Sequence, residues 1–292
     1  MKKLLFAITL SILVFGLYAA GWQVDSDINL TLSQSAYSDS WQGTELNNIT
    51  WMASSNSSFQ KQMNHWLHIR NTLKMAFGQT HLQKTDSQGN KYWADPEKTT
   101  DKFDLESLWR LTLQAWVDPY IAGRIESQFL DLSQEDDDNT RYLNPSLLTE
   151  STGVIHTFIE NDATMFNARL GVAYRLNINR DQIDNLGNKE TLFTRDGGLE
   201  LVSEFQQHIN APLKSTFRSR LQVFQALLND ESDDLPNNDW KSPDMVWENS
   251  LSTKLFGLVS ANLLYEMRYE KEQIHKVQWK QMLGLGISYT LF

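Results

Sequence analysis

The sequence predicts an all-β chain: a closed antiparallel transmembrane β-barrel of about 12 strands behind a short export signal. Three observations carry this reading. Hydrophobicity alternates with period two from Trp22 to the C-terminus, short joins alternate with long ones, and the polar face of the strands is charged with both signs. The 292 residues include no cysteine, which excludes disulfide scaffolds, cysteine metal sites, cysteine nucleophiles and lipoprotein anchoring. Beyond the N-terminus no apolar run approaches the ~20 residues of a helical span.

The first element is the signal. Lys2 and Lys3 precede the apolar stretch Leu4 to Tyr18, and Ala19, Ala20 and Gly21 supply the small residues of a processing site. Residues 1–20 therefore read as a secretory signal peptide and residues 21–292 as one outer-membrane barrel. Cleavage removes two lysines and no acidic residue from a chain already at net charge -10. The remainder has no basic stripe to neutralise phosphates, so no nucleic-acid partner is expected.

Alternation then places strands near 22–34, 44–57, 64–78, 103–117, 119–130, 147–160, 163–178, 195–209, 213–228, 244–256, 258–269 and 277–291. In the first, Trp22, Val24, Ile28, Leu30 and Leu32 alternate with Gln23, Asp25, Asp27, Asn29 and Thr31. In the eleventh, Val259 to Tyr269 sets Leu263, Tyr265 and Met267 against Asn262, Glu266 and Arg268. The last puts Trp279, Leu283, Leu285, Ile287, Tyr289 and Leu291 on one face. Many of these strands reach the ~9–11 residues that cross a bilayer at a tilt.

Even-to-odd joins are short, around Lys61, at Val117-Asp118, Asn161-Asp162, Asn210-Ala211-Pro212 and Gly257. The odd-to-even joins at about 79–102, 131–146, 179–194 and 229–243 are long and polar. Short turns on one side and long loops on the other, with an even strand number, describe an outer-membrane barrel. All six prolines fall in joins or at strand starts, where a missing N–H breaks no ladder. A two-residue turn at Asn161-Asp162 pairs His156 with Asn167 and Val154 with Arg169, and the turn at 210–212 sets Glu204 opposite Arg218 and His208 opposite Lys214.

Period two alone does not separate a membrane barrel from a secreted soluble β-protein. The polar face does. It carries Asp104, Glu106, Arg110, Arg124, Glu126, Arg169, Arg175, Glu200, Glu204, His208, Lys214, Arg218 and Arg220, a charge ladder suited to a wet or salt-bridged lumen. The mean hydropathy of -0.44 is thus the average of an apolar wall and a charged interior. Interfacial aromatics are expected at Trp22, Trp41, Trp66, Trp116, Trp247, Trp279 and Tyr289.

The stretch Gln278 to Tyr289 (QWKQMLGLGISY) resembles the closing strand of an uncharacterised bacterial family, domain of unknown function 3078. Shorter echoes are Ser40-Trp41-Gln42-Gly43, Lys98 to Leu105, Leu148 to Gly153, Asp196 to Glu200 and Trp247-Glu248-Asn249. The resemblance implies the outer membrane of a diderm bacterium and carries no catalytic residue to transfer. Members stop at an aromatic two residues after the tyrosine, the signal for the barrel-assembly machinery. Here Tyr289 is followed at that distance by Leu291, with Phe292 one place later.

For function, the leading expectation is a barrel with a narrow charged lumen that passes a small solute, in contact with outer-membrane lipid and lipopolysaccharide. The alternatives are a structural scaffold acting through its acidic outer loops, and an enzyme at the rim. His156 and His208 are the catalytic candidates, both expected to face inward, but no nucleophile partners them and no catalytic set is assigned. No cofactor motif appears. The acidic runs around Asp136 and Asp138 and around Asp233 and Asp234 are oxygen-rich enough to hold Ca²⁺ but lack the spacing and turn glycine of a calcium loop, so no metal is assigned.

Overall fold

The computed structural model describes residues 21–38, 46–113, 115–133, 140–183, 189–210, 212–232 and 237–291. In chain order the strands are β1 (Gln23–Ser35), β2 (Asn48–Asn64), β3 (Leu67–Thr85), β4 (Lys91–Trp93), β5 (Glu97–Leu111), β6 (Asp118–Ser127), β7 (Leu130–Asp131), β8 (Arg141–Tyr142), β9 (Ser146–Glu160), β10 (Thr164–Ile183), β11 (Lys189–Ile209), β12 (Ser215–Asn229), β13 (Asp244–Phe256), β14 (Val259–Tyr269) and β15 (Gln278–Leu291). All but β4, β7 and β8 are staves of one closed 12-strand antiparallel barrel, in which β15 pairs back onto β1, Leu32 meeting Leu285 and Ile28 meeting Tyr289. Residues 1–20, where a signal is expected, and Trp41, Asp136, Asp138, Asp233, Asp234 and Phe292 lie outside the described residues.

The short turns are set by Asx side chains. Asn64 Oδ1 accepts from the N–H groups of Trp66 and Leu67 at 3.0 and 2.9 Å, and Asn161 Oδ1 accepts from Ala163 and Thr164 at 3.0 and 2.9 Å. Asp118 Oδ1 accepts from Leu113 N at 2.9 Å. Such bonds satisfy turn donors locally. They also explain two boundary corrections: the β2–β3 turn sits at Asn64 rather than Lys61, and β5 ends at Leu111, ahead of a turn expected at Val117-Asp118. The long join expected at 179–194 is shortened, because β10 runs to Ile183 and β11 starts at Lys189.

Two registers also differ from the sequence expectation. A bulge at Phe158 leaves Ile159 opposite Phe166 and Thr157 opposite Asn167, so His156 faces Ala168 and Ile155 faces Arg169. Two residues on β9 then oppose one on β10. His156 is therefore on the outer wall, not in the lumen. Its Nδ1 bonds the Trp116 carbonyl and its ring lies 5.0 Å from that of Trp116 and 4.5 Å from that of Phe158. The β11–β12 turn is two residues longer than the expected 210–212, with Ile209 opposite Ser215, so Glu204 faces Arg220, Gln206 faces Arg218 and His208 faces Thr216. Lys214 is exposed in the turn before β12 and is not a lumen residue.

Outside, the wall is apolar: Ile121, Leu170, Val172 and Leu283 are 66%, 54%, 57% and 66% exposed. Aromatic rings edge it at two heights. Near the short turns, Phe158, Phe166, Phe205 and Phe217 make successive contacts at 4.8, 6.2 and 6.1 Å across four neighbouring strands. Near the long loops, Trp247, Tyr265 and Trp279 do the same at 6.3 and 6.4 Å. On β10, Phe166 and Tyr174 are eight residues apart, which at about 3.3 Å per residue and a 40° tilt gives roughly 20 Å of height.

Inside, Tyr120 is held over a glycine row. Tyr120 on β6 pairs with Gly153, Gly153 with Gly171, and Gly171 with Glu200. A Cβ on Gly171 would stand 2.6 Å from Tyr120 Oη and 2.3 Å from the Thr152 carbonyl oxygen. Only glycine leaves room there for the Tyr120 hydroxyl and the neighbouring backbone. Gly171→Ala is expected to lower barrel stability by about 1–3 kcal/mol through overpacking, whereas Gly123→Ala, whose Cβ meets nothing within 4 Å, changes it little. The urea midpoint of the heat-modifiable folded form is the measurement, and equal midpoints for the two variants would refute this role for Gly171.

Candidate functional site: a divided lumen

Ion pairs cross the barrel rather than only climbing its wall. Lys102 on β5 contacts Glu248 on β13, and six strand steps separate β5 from β13 in either direction. Lys74 on β3 meets the same carboxylate at 2.8 Å. A round barrel of this strand number would be roughly 24 Å across at about 4.8 Å strand spacing. A lysine, a glutamate and the bond between them span at most about 14 Å. The lumen is therefore pinched along this diameter.

Beneath the pinch Glu106 is the hub. It receives both arms of Arg169, at 3.0 and 2.5 Å, and one of Arg220 at 2.9 Å. Arg220 also reaches Glu204 at 3.4 Å, and Glu204 takes Arg70 from the far wall at 2.5 Å. Arg124 clamps Asp104 at 2.9 and 2.8 Å, pairs with Glu126 at 2.9 Å and bonds Gln222, which in turn donates to Glu200 at 2.9 Å. Glu106 and Glu200 are each 1% exposed. Burial at this depth requires the pairing, because a lone desolvated carboxylate costs several kcal/mol.

This spine divides the interior. On the side of β5, β6, β9, β10 and β12, apolar side chains fill the lumen. Leu108, Tyr120, Ala122 and Ile155 pack together, as do Ala173, Phe224 and Ala226 with Trp240. Arg175 stacks on Phe224 at 3.6 Å and pairs with Asp244 at 3.0 Å. The β7–β8 ribbon covers the outer end of this half. Its Arg141 pairs with Asp131 at 2.6 Å and donates to the Arg180 carbonyl at 2.8 Å, while the wholly buried Asn144 bonds Asp131 and Asn179, each at 2.8 Å.

On the other side, between β13–β15 and β1–β3, lies a cavity of about 470 Å³. Its lining runs from Asp25 and Gln206, near the short-turn ends of β1 and β11, to Thr99 and Lys280, near the long-loop ends of β5 and β15. Ser54, Asn56, Thr72, Ser250 and Asn262 supply most of the wall between them.

Of the charges expected in the ladder, Arg124, Glu126, Arg169, Arg220, Glu200 and Glu204 meet in the spine. Arg175 sits at its outer end. Arg218 pairs with Asp27 at 2.5 Å on the cavity side, and Arg110 pairs with Asp118 at 2.6 Å near the short turns. His208 bonds Gln206 and Thr216 there, strands away from His156, so the two histidines form no common site. Sequence reasoning left Arg70, Lys74, Lys102, Asp27 and Glu248 out of the ladder. Inward parity marks each of them, but parity does not say which opposite strand they reach.

The expected interfacial aromatics Trp66, Trp116, Trp247, Trp279 and Tyr289 are 44%, 77%, 38%, 66% and 52% exposed, and Trp22 precedes β1. Among the described residues no group of three or more His, Asp or Glu side chains is placed to hold a metal ion.

In the β14–β15 join, partial burial and then the facing carboxylates of Asp196, Asp244, Glu231 and Glu270 push the Glu272 carboxyl up to about 7. Its folded pKa lies above its unfolded value, so the folded join binds the extra proton between about pH 4.5 and 7 and loses stability as pH rises through that window. Protease cutting at 270–277 is expected to increase between pH 5.5 and 8, and Glu272→Gln to flatten the profile. A profile unchanged by the substitution would exclude Glu272 as its origin. For the spine, Glu106→Gln leaves Arg169 and Arg220 without their shared carboxylate and is expected to destabilise the barrel by about 3–5 kcal/mol. Lys84→Met breaks a pair whose partners are 48% and 58% exposed, and is expected to change stability by no more than about 0.5 kcal/mol. The urea midpoints rank the two.

Several solved structures are similar to the chain. An outer membrane channel from Pseudomonas putida F1 aligns with TM-score 0.41 and 10% identity over 91% of this chain and 93% of its own. The translocator domain of the autotransporter NalP from Neisseria meningitidis aligns with TM-score 0.36 and 11% identity over 97% and 96%. A NanC porin aligns with TM-score 0.37 and 10% identity over 91% and 99%. No curated protein matches the chain in sequence. A family model does: residues 32–131, about a third of the chain and including Ser40–Gly43 and Lys98–Leu105, match a protein of unknown function (DUF3078).

Proposed function

We propose that this protein is an integral outer-membrane channel in which small solutes move along one side of a divided lumen. The observation that carries the proposal is the cavity whose lining extends from the short-turn ends of its strands to the long-loop ends, beside a spine that seals the other half. The apolar outer wall between two aromatic levels supports a membrane setting, because such a surface is unfavourable in water and suited to lipid. Short turns then face the periplasm and long loops the exterior.

Purified protein in planar bilayers is expected to give small, stable conductance steps. Ser54→Trp, which places an indole in the cavity, is expected to reduce them by at least half. Ser203→Trp, on the outer face of β11, should leave them unchanged. Absence of steps over many insertions of protein that migrates as a folded, heat-modifiable band would sink the channel reading.

A further inference from the structure

The cavity is ringed by charge yet presents little of it. Each charged side chain on its lining is in an ion pair. Arg218 lies 2.5 Å from Asp27 and 3.7 Å from Asp25, Arg70 lies 2.5 Å from Glu204, and Lys280 lies 3.0 Å from Glu266. An ion entering this space would lose water and meet groups already neutralised by their partners, so desolvation is poorly offset.

Between the ion pairs the lining carries hydroxyl and amide groups, those of Ser54, Asn56, Ser58 and Thr72 among them. Thr31 is 4% exposed and its Oγ1 has no partner, and the Nε atoms of Arg70 and Arg220 are likewise buried and unpartnered. All three residues line the cavity. Buried polar atoms left without a bond are the exception in folded proteins and mark a place for water or a solute group. Met52, Leu264 and Met282 add apolar surface to the same lining. The volume of about 470 Å³ falls in the ~300–1,000 Å³ range of small-molecule sites.

We infer that the cavity selects small, uncharged, polyhydroxylated solutes of about monosaccharide size over ions of the same size. A hydroxyl-rich solute exchanges its water for the Thr, Ser and Asn side chains and lays its C–H face on the methionines. This rests on the channel reading and names its solute class.

The test is the swelling of proteoliposomes containing the full chain in iso-osmotic glycerol, glucose, gluconate or glucosamine. Glucose is expected to enter at least fivefold faster than gluconate or glucosamine. Thr31→Val with Asn56→Leu, which keeps volume and removes hydrogen-bonding groups, is expected to slow glucose severalfold while glycerol entry and heat-modifiable migration persist. Entry of gluconate or glucosamine at the glucose rate overturns the inference and leaves the channel standing, as does a double variant with unchanged glucose entry. Failure of every solute, glycerol included, overturns both.

Discussion

Opposed charges meeting across the full width of the barrel govern the rest of this structure. A wall built only from neighbouring strands would settle into a rounder cylinder with a wide wet interior. The reach of Lys102 and Lys74 to Glu248, and of Arg169 and Arg220 to Glu106, holds far walls within two side-chain lengths of each other. Once the walls are that close, one side fills with Tyr120, Ile155 and Phe224 and the other keeps a cavity. The shape of the interior follows from where the carboxylates are.

The spine is a network in which several members serve two partners. Glu106 takes two arginines, Glu248 two lysines, and Arg124 joins Asp104, Glu126 and Gln222. Shared partners make the cost of removing one group larger than any single bond suggests, because the others are left charged and dry. Pairs at the loop ends, such as Arg195 with Asp230, remain hydrated and carry little of this energy.

Much of the barrel is legible in the sequence, for a local reason. Strand alternation and turn residues act over two to four positions, so the closed barrel and most strand bounds follow from them. Registers fail where one or two residues intervene. The bulge at Phe158 turns His156 outward, and the longer turn before Ser215 moves Arg220, not Arg218, opposite Glu204. The spine is less legible still. Parity shows that Lys102 and Glu248 face inward, but 146 residues separate them and no sequence pattern encodes contact across a lumen. The cavity is the remainder after that contact forms, so it could not be read at all.

The division of the interior also divides the chain. The packed half draws on β5 to β12, one continuous stretch from the middle of the sequence, while most of the cavity lining comes from β1 to β3 and β13 to β15, which meet and close the ring through the pairing of β1 with β15. The middle of the chain thus serves as a keel. Substitutions in the terminal strands can therefore reshape the cavity while leaving that keel intact.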